Sequence, residues 1–559
     1  MHKNKEVINR FKVPIISVLV FLLLSFFVLY TPKPVSSDVT NKFSAVRAAK
    51  HIEVISKKPH SYYDQVELKE VRDYIENTLV DYLGQSNVEL FTYDKNDVIA
   101  KTNKTSKEVL YDVVNVMGKI QGKNDEGILL VSHYDSRGHI GRLGELGRSY
   151  GAMDDGYGVA TMLELANLLK DEQPENSVYF LFTDAEEVGL YGAHMASSDP
   201  LVMDNAKFII NLESRGRYGP AYMFETSNNN HNVMNLYKKA KLPTTYSMAT
   251  AVYSVMPNST DFTPFKNANL PGLNFAVLAG LENYHTPMDK YENINFSTIQ
   301  HMGVQTEPIV REFISNAKYV EENHFTANSD LVFFTIFAGV MVSYSQIFAV
   351  ILAIVLIISF GLILFFSIKD QSIKKTIVTK TLPKGLLLTV ILLVTTYIFS
   401  NLAAFFGKTT FSITYTRMNN ANIPSLLMMI VVLYVLVRQF LKNKDINEIL
   451  ILGIGLNVLL TLVTTFLMPG ASFLFAVASL FGILSYIVKY INNNIIKNII
   501  YVASYGILIL LIVPILWSFY NALTIGGLVI LVLILLTNVV VTLPIIFNHF
   551  NLFNNKELN

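Results

Sequence analysis

Two hydrophobic rhythms divide this chain near residue 330. Before it, short apolar runs alternate with mixed, charged segments. The stretches 43–55 and 66–83 carry helical periodicity, and 88–93 and 109–120 have strand character. From there strands and helices alternate: strand 128–132, helix 159–169, strand 178–182, a short helix 191–196, strand 208–212, helix 231–240, strand 273–278 and a long closing helix 296–319. This alternation predicts an α/β domain, a mostly parallel central sheet with helices on both faces. Functional residues of such sheets gather at the carboxyl ends of the strands.

After residue 330 the pattern changes to apolar runs of membrane-spanning length. Seven are expected, at 345–367, 385–406, 424–441, 448–468, 471–489, 498–519 and 524–547. The run 331–343 is short, contains Gly339 and reads as an extended or interfacial lead-in. Near the start, Lys3, Lys5, Arg10 and Lys12 precede an apolar run at 14–30 with no clear small-residue cleavage site, which reads as an uncleaved first span. The expected organisation is a cytoplasmic segment 1–13, a transmembrane helix 14–30, a folded non-cytoplasmic domain 42–322, an all-α membrane domain 331–548 with about seven helices, and a cytoplasmic tail 549–559. Lysine placement agrees with that topology. The loop 368–384 holds Lys369, Lys374, Lys375, Lys380 and Lys384, whereas the outer loop 407–423 has only Lys408 and Arg417.

Composition narrows the chemistry. The net charge of +1 gives no general case for nucleic-acid binding. The chain has no cysteine, so any metal must be held by histidine and carboxylate. Beyond residue 330 the only acids are Asp370, Asp445, Glu448 and Glu557, and no Asp, Glu, His, Lys or Arg is centred in a span. That weighs against ion or proton transport and reads the membrane region as an anchor or interaction scaffold in the lipid bilayer.

Five short segments lie just past predicted strands or before a helix. They are His133-Tyr134-Asp135-Ser136, Gly151-Ala152-Met153-Asp154-Asp155-Gly156, Asp184-Ala185-Glu186-Glu187, Asn211-Leu212-Glu213-Ser214 and Tyr284-His285-Thr286-Pro287. Singly, each has an ordinary explanation: a solvated Glu-Glu pair, an Asp-Asp-Gly turn, a structural histidine. Together, in order, they offer two His and several carboxylates, a donor set for a divalent cation with zinc first in line. His51, His60, His139, His194, His231, His301 and His324 have no such placement and read as structural or solvated.

The run HYDS, GAMDDG, DAEE, NLES, YHTP resembles the aminopeptidase Y and transferrin-receptor-like family of zinc exopeptidases, over roughly residues 45–320. It is most similar to the membrane-embedded branch, the vacuolar membrane protease and endoplasmic reticulum metallopeptidase group. The stretches 257–265 (PNSTDFTPF), 271–274 (PGLN) and 468–473 (MPGASF) also resemble that branch. The resemblance implies a di-zinc metallopeptidase, an aminopeptidase acting on peptide substrates. It implies that His133 and His285 each bind one of two Zn2+ ions, that Asp154 bridges them, and that Glu187 and Glu213 complete the ligand set. By the same likeness Glu186 is the general base, Asp135 accepts the second ring N–H of His133, and the Asp154–Asp155 peptide is cis. Many soluble members have Asp where this chain has Glu213, a departure that itself fits the membrane branch. The segment 137–150, with Arg137, Arg142 and Arg148, is longer than the family pattern and reads as a lid or specificity loop. Two alternatives stand beside this reading: a single-zinc acyltransferase like the glutaminyl cyclases, and a non-catalytic receptor or scaffold module. Richness in Lys, Asn and Ile and short loops favour a bacterial cell membrane with an extracellular catalytic domain over a vacuolar or reticulum membrane with a lumenal one.

Overall fold

The structure is a computed structural model that describes residues 2–138, 148–371, 373–442 and 444–554. Arg142, His139 and most of the expected lid therefore lie outside the described residues. The chain divides into two units: 29–331 with 338–341, and 1–28 with 332–337 and 342–559.

The first unit is built on a seven-stranded sheet. Its strands are β1 (Val88–Tyr93), β2 (Val113–Ile120), β3 (Asn124–His133), β4 (Asn176–Thr183), β5 (Ala206–Ser214), β6 (Tyr218–Thr226) and β7 (Gly272–Ala279), in the order β1-β2-β4-β3-β5-β7-β6. The centre, β4-β3-β5-β7, is parallel. β1, β2 and β6 run antiparallel, so the sheet is mixed, with its parallel part where the strand–helix alternation lies. Every residue of β4 is buried, as is β3 from Gly127 onward, which is why these strands read as near-continuous apolar runs. β6 escapes such a reading. It carries Gly219 and Pro220, makes irregular pairings with β7 and forms the sheet edge, where a missing N–H is tolerated.

The helix Gly156–Leu169 lies over this sheet and is buried along almost its whole length. Its only acid, Glu164, is held by Arg47 and by the Ser44 N–H. Such an arrangement keeps a charge tolerable inside apolar surroundings. The closing helix Phe296–Ile314 is shorter than expected and is followed by a 3-10 turn, Ala317–Val320.

Among the described residues, the second unit contains seven helices long and apolar enough to cross a bilayer. They are Gln346–Lys369, Ile377–Phe406, Asn420–Leu441, Ile446–Leu467, Pro469–Tyr490, Asn494–Leu523 and Ile525–Asn551. Each of the seven spans expected from hydropathy overlaps one of them, three of the expected spans (345–367, 448–468 and 524–547) running one residue past a helix end. A shorter apolar helical stretch, Val13–Leu29, packs with them: Phe21 meets Tyr505 edge-to-face at 6.3 Å, and a side chain at Gly506 would collide with the Phe21 ring. The lead-in at 331–343 is a β-hairpin. β8 (Leu331–Phe337) and β9 (Val340–Ser345) turn at Gly339, whose φ of +78° suits a residue without Cβ. The last helix runs on to Asn554, with His549 buried against Tyr501 and Tyr505, so the tail boundary expected at 549 falls inside a helix.

Candidate metal centre

All five segments converge at the carboxyl end of the parallel strands. β3 ends on His133 and β5 carries Glu213 near its end. Glu186 and Glu187 follow β4, after a backbone turn in which Ala185 takes φ +59°. His285, at φ +53°, follows β7. Asp154 directly precedes Asp155, the N-cap of the helix Gly156–Leu169, and the peptide between the two aspartates is cis.

The side chains form two groups that meet at one carboxylate. His133 Nε2 lies 3.3 Å from Asp154 Oδ1 and 3.5 Å from Glu213 Oε1. His285 Nε2 lies 3.1 Å from Asp154 Oδ2 and 3.2 Å from Glu187 Oε2. The two oxygens of Asp154 thus face two different imidazoles. Donor atoms of His133, Asp155 and Glu213 lie within 4.8 Å of one another, as do those of Asp154, Glu187 and His285. Asp155 was not anticipated in such a group. Its oxygens already have partners, however: Oδ2 accepts from Ser132 Oγ at 2.5 Å and Oδ1 from the Gly158 N–H at 3.2 Å. Asp154 is the carboxylate with an oxygen to give.

The donor set fits a cation. His133 Nε2, Asp154 Oδ2 and Glu187 Oε1 are buried with no hydrogen-bond partner among the described residues. Native interiors seldom leave polar atoms so, and this combination of N and O donors suits zinc. Burial pushes the carboxyls of Glu186, Glu187 and Glu213 above their ordinary range, and neighbouring carboxylates push them further. For Asp154 burial acts the same way, but the His133 and His285 imidazoles overcome it and hold the carboxyl low. Crowded buried acids of this kind are relieved by positive charge.

Residues around the two groups hold them in place. The Asp135 carboxylate accepts the backbone N–H of Glu186 at 2.9 Å and of Glu187 at 3.2 Å. His133 Nδ1 lies 3.0 Å from the Asp135 backbone oxygen and 3.4 Å from its carboxylate. The backbone is thus the nearer acceptor for that ring N–H, and the Asp135 carboxylate serves mainly the Glu-Glu turn. Arg137 donates to the Glu187 backbone oxygen at 2.6 Å and sits 3.3 Å from its Oε2. Asp289 accepts from Ser149 Oγ at 2.7 Å and from the Met153 N–H at 2.7 Å, and contacts the Asp154 N–H at 3.4 Å. It ties the loop after His285 to the loop that presents Asp154. Tyr284 stacks on His285 at 3.6 Å, and Arg215 lies over the ring of that tyrosine at 5.1 Å. Asp289 was absent from the sequence reading although it stands only four residues after His285, and the role of Arg137 in holding Glu187 was hidden by its distance along the chain. Of the remaining histidines, His51, His60 and His301 are buried and belong to neither group, and His60 lies beside the centre, donating its backbone N–H to Ser136 Oγ at 3.0 Å.

The model of Peptidase family M28 matches residues 115–309. The chain is 28% identical over 346 residues to a vacuolar membrane protease of Candida dubliniensis, covering 60% of this chain and 35% of the relative. It is 30% identical over 270 residues to a vacuolar membrane protease of Candida tropicalis, covering 47% and 28%. The chain therefore spans about a third of the length of the curated relatives it matches. Among solved structures it is similar to an aminopeptidase from Aneurinibacillus sp. strain AM-1, at 16% identity, TM-score 0.39, 51% of this chain and 97% of that one. It is also similar to a glutaminyl cyclase from Porphyromonas gingivalis, at 18% identity, TM-score 0.38, 49% and 99%. The strand ends that bear the two groups of donors lie within residues 115–309, the part of the chain that the Peptidase family M28 model matches.

Proposed function

We infer that the protein is a multi-pass membrane metallopeptidase that hydrolyses N-terminal peptide bonds with two zinc ions bound at the carboxyl end of its parallel strands. The observation that carries this reading is the pair of donor groups joined at Asp154. In it, His133 and Glu213 serve one ion, His285 and Glu187 the other, and Asp154 both. Bound zinc supplies Lewis acidity, which polarises a peptide carbonyl and acidifies water. Glu186 takes the proton from the attacking water and delivers it to the leaving amine; its half-buried, raised carboxyl suits a group that must hold a proton between two steps. Asp135 positions Glu186 through the backbone N–H it accepts. Peptides are the substrates. A single-zinc cyclase needs only one donor group, and the pair favours hydrolysis.

Residues 42–322 form the catalytic domain, placed outside the cytoplasm by the first span 14–30, and 331–548 embed the chain in the bilayer. The lysines of the 368–384 loop support this orientation. Abundant Lys, Asn and Ile support a bacterial cell membrane, whereas the fungal relatives bear a vacuolar name. Metal analysis with aminoacyl reporter hydrolysis tests the reading. Two zinc per chain, chelator-sensitive release of N-terminal residues, and loss of turnover with retained zinc in Glu186→Gln are expected. Hydrolysis that survives Glu186→Gln would remove that residue from its role, and one zinc with cyclising activity would replace the reading.

A further inference from the structure

Away from the metal centre, the membrane unit has a cleft of about 630 Å³ between the last turns of Gln346–Lys369 and those of Pro469–Tyr490. Its walls are apolar and turned outward: Leu362, Phe366 and Ile487 are 51%, 54% and 42% exposed. Ser359 to Lys369 spans about 15 Å at 1.5 Å per residue, half the thickness of a hydrocarbon core, the depth of one leaflet. The end of the cleft is polar. Ser367 Oγ and Tyr486 OH are 2.8 Å apart and buried. Lys489 Nζ donates to Tyr486 OH at 2.8 Å and lies over the rings of Tyr486 and Tyr490, at 4.1 and 4.8 Å. Tyr490 OH donates to Asp370 at 3.0 Å. Lys369 lines the mouth, and Lys374 and Lys375 follow in the next exposed turn.

A lysine in the last turn of a helix is ordinary, since it complements the helix dipole and snorkels to the interface. What is not ordinary is a leaflet-deep apolar groove lined at its end by Lys369 and by two tyrosines, Tyr486 and Tyr490, whose rings lie under a second lysine, Lys489. We propose that this cleft binds one anionic phospholipid from the leaflet at the lysine-rich end of the bundle. The acyl chain lies along Leu362 and Phe366, and the phosphate meets Lys369 and Lys489. The fit is one of length and charge. The groove matches an acyl chain, and the chain around its polar end is basic: 367–384 and 484–500 carry Lys369, Lys374, Lys375, Lys380, Lys384, Lys489 and Lys497 against one acid, Asp370.

The test uses the full chain in detergent, exposed to equal phosphatidylglycerol and phosphatidylcholine and weighed intact by native mass spectrometry. Preferential retention of one phosphatidylglycerol per chain is expected. Each lysine near an anionic headgroup contributes about five-fold, so the double variant Lys369→Gln/Lys489→Gln should lose about 30-fold of the preference. Leu362→Trp, which fills the wall, should lower retention of both lipids, and excess inorganic phosphate should not displace the bound one. Equal retention of the two lipids by the native chain overturns the proposal, as does an unchanged preference in the lysine variant. If the lysine variant aggregates, the tryptophan variant decides: undiminished retention in it places the lipid elsewhere.

Discussion

Replacing Gly158 with alanine separates helix propensity from the packing of the metal centre. Gly158 lies in the first turn of the helix Gly156–Leu169. In an exposed helix interior this change stabilises by about 1 kcal/mol. Here a Cβ would sit 2.3 Å from Asp155 Oδ2 and 2.6 Å from Ser132 Oγ. Those two atoms share a buried hydrogen bond, so the new methyl group displaces one of them. Losing a hydrogen bond to a charged group costs about 1.5–3 kcal/mol, and the overpacking adds about 1–3 kcal/mol. The losses exceed the propensity gain, and the net is a destabilisation of about 1.5–5 kcal/mol. Asp155 adjoins Asp154 and shares a group with His133 and Glu213, so its displacement reaches the donor set. Zinc affinity should fall by about 10- to 100-fold, as when groups supporting metal ligands are disturbed. Thermal unfolding and competition with a chromogenic chelator measure the two effects. Gly361→Ala is the control, since no atom lies within 4 Å of its Cβ position, and it should be neutral or slightly stabilising. A Gly158→Ala protein as stable as the native one, with unchanged zinc affinity, would refute the reasoning.

Other perturbations probe the same framework. Asp135→Ala removes the acceptor of two backbone N–H groups in the Glu-Glu turn and should weaken zinc binding at least ten-fold, whereas Asp135→Asn, which keeps one acceptor oxygen, should lose less; calorimetric zinc titration distinguishes them. Arg137→Ala frees the Glu187 backbone and carboxylate and should also weaken zinc, by about ten-fold, with Arg137→Lys intermediate; equal zinc affinity in all three proteins would dissociate Arg137 from the centre. His301 is buried, its Nδ1 accepts the Ala221 N–H, and burial pulls its pKa down to about 3. It is neutral in the folded protein while the unfolded chain takes up a proton below 6.5, so its contribution is complete above pH 6.5, is lost as the pH falls, and levels off below about 3. At pH 5 that loss is about 2 kcal/mol, and His301→Gln should flatten the stability profile between pH 6 and 4 by about 2.5 kcal/mol; an unchanged slope would show that His301 does not carry it.

Legibility in the sequence followed physical coupling. The strands that bear the donors are buried on both faces, so they are continuous apolar runs and stand out. The seven long apolar helices stand out for the same reason, because lipid imposes a single rule on every position. β6 is an edge strand with a proline, and β1 and β2 run against the central direction, which alternation alone does not reveal. Each segment that bears a donor could be found because it sits where a run ends. The pairings within the centre could not, since they depend on which loops meet in space. Asp289 and Arg137 act on residues far from them in sequence, and nothing in their own neighbourhoods marks that duty. The Asp135 carboxylate likewise points to the Glu186–Glu187 turn, an assignment that needed the register of β3 beside β4.

The Asp289 clamp carries a consequence for how the protein is made. It joins the loop after His285 to the loop before the helix Gly156–Leu169, so the two halves of the donor set are assembled from segments synthesised far apart. No shorter nascent piece contains both imidazoles in place. A chain delivered through a translocation channel in extended form would cross before it has anything with which to hold zinc tightly. Loading therefore happens on the side where the domain folds, and it draws on the zinc available in that compartment. With the orientation proposed above, scarcity outside the cytoplasm would leave the protein in the membrane at full length but without its metal.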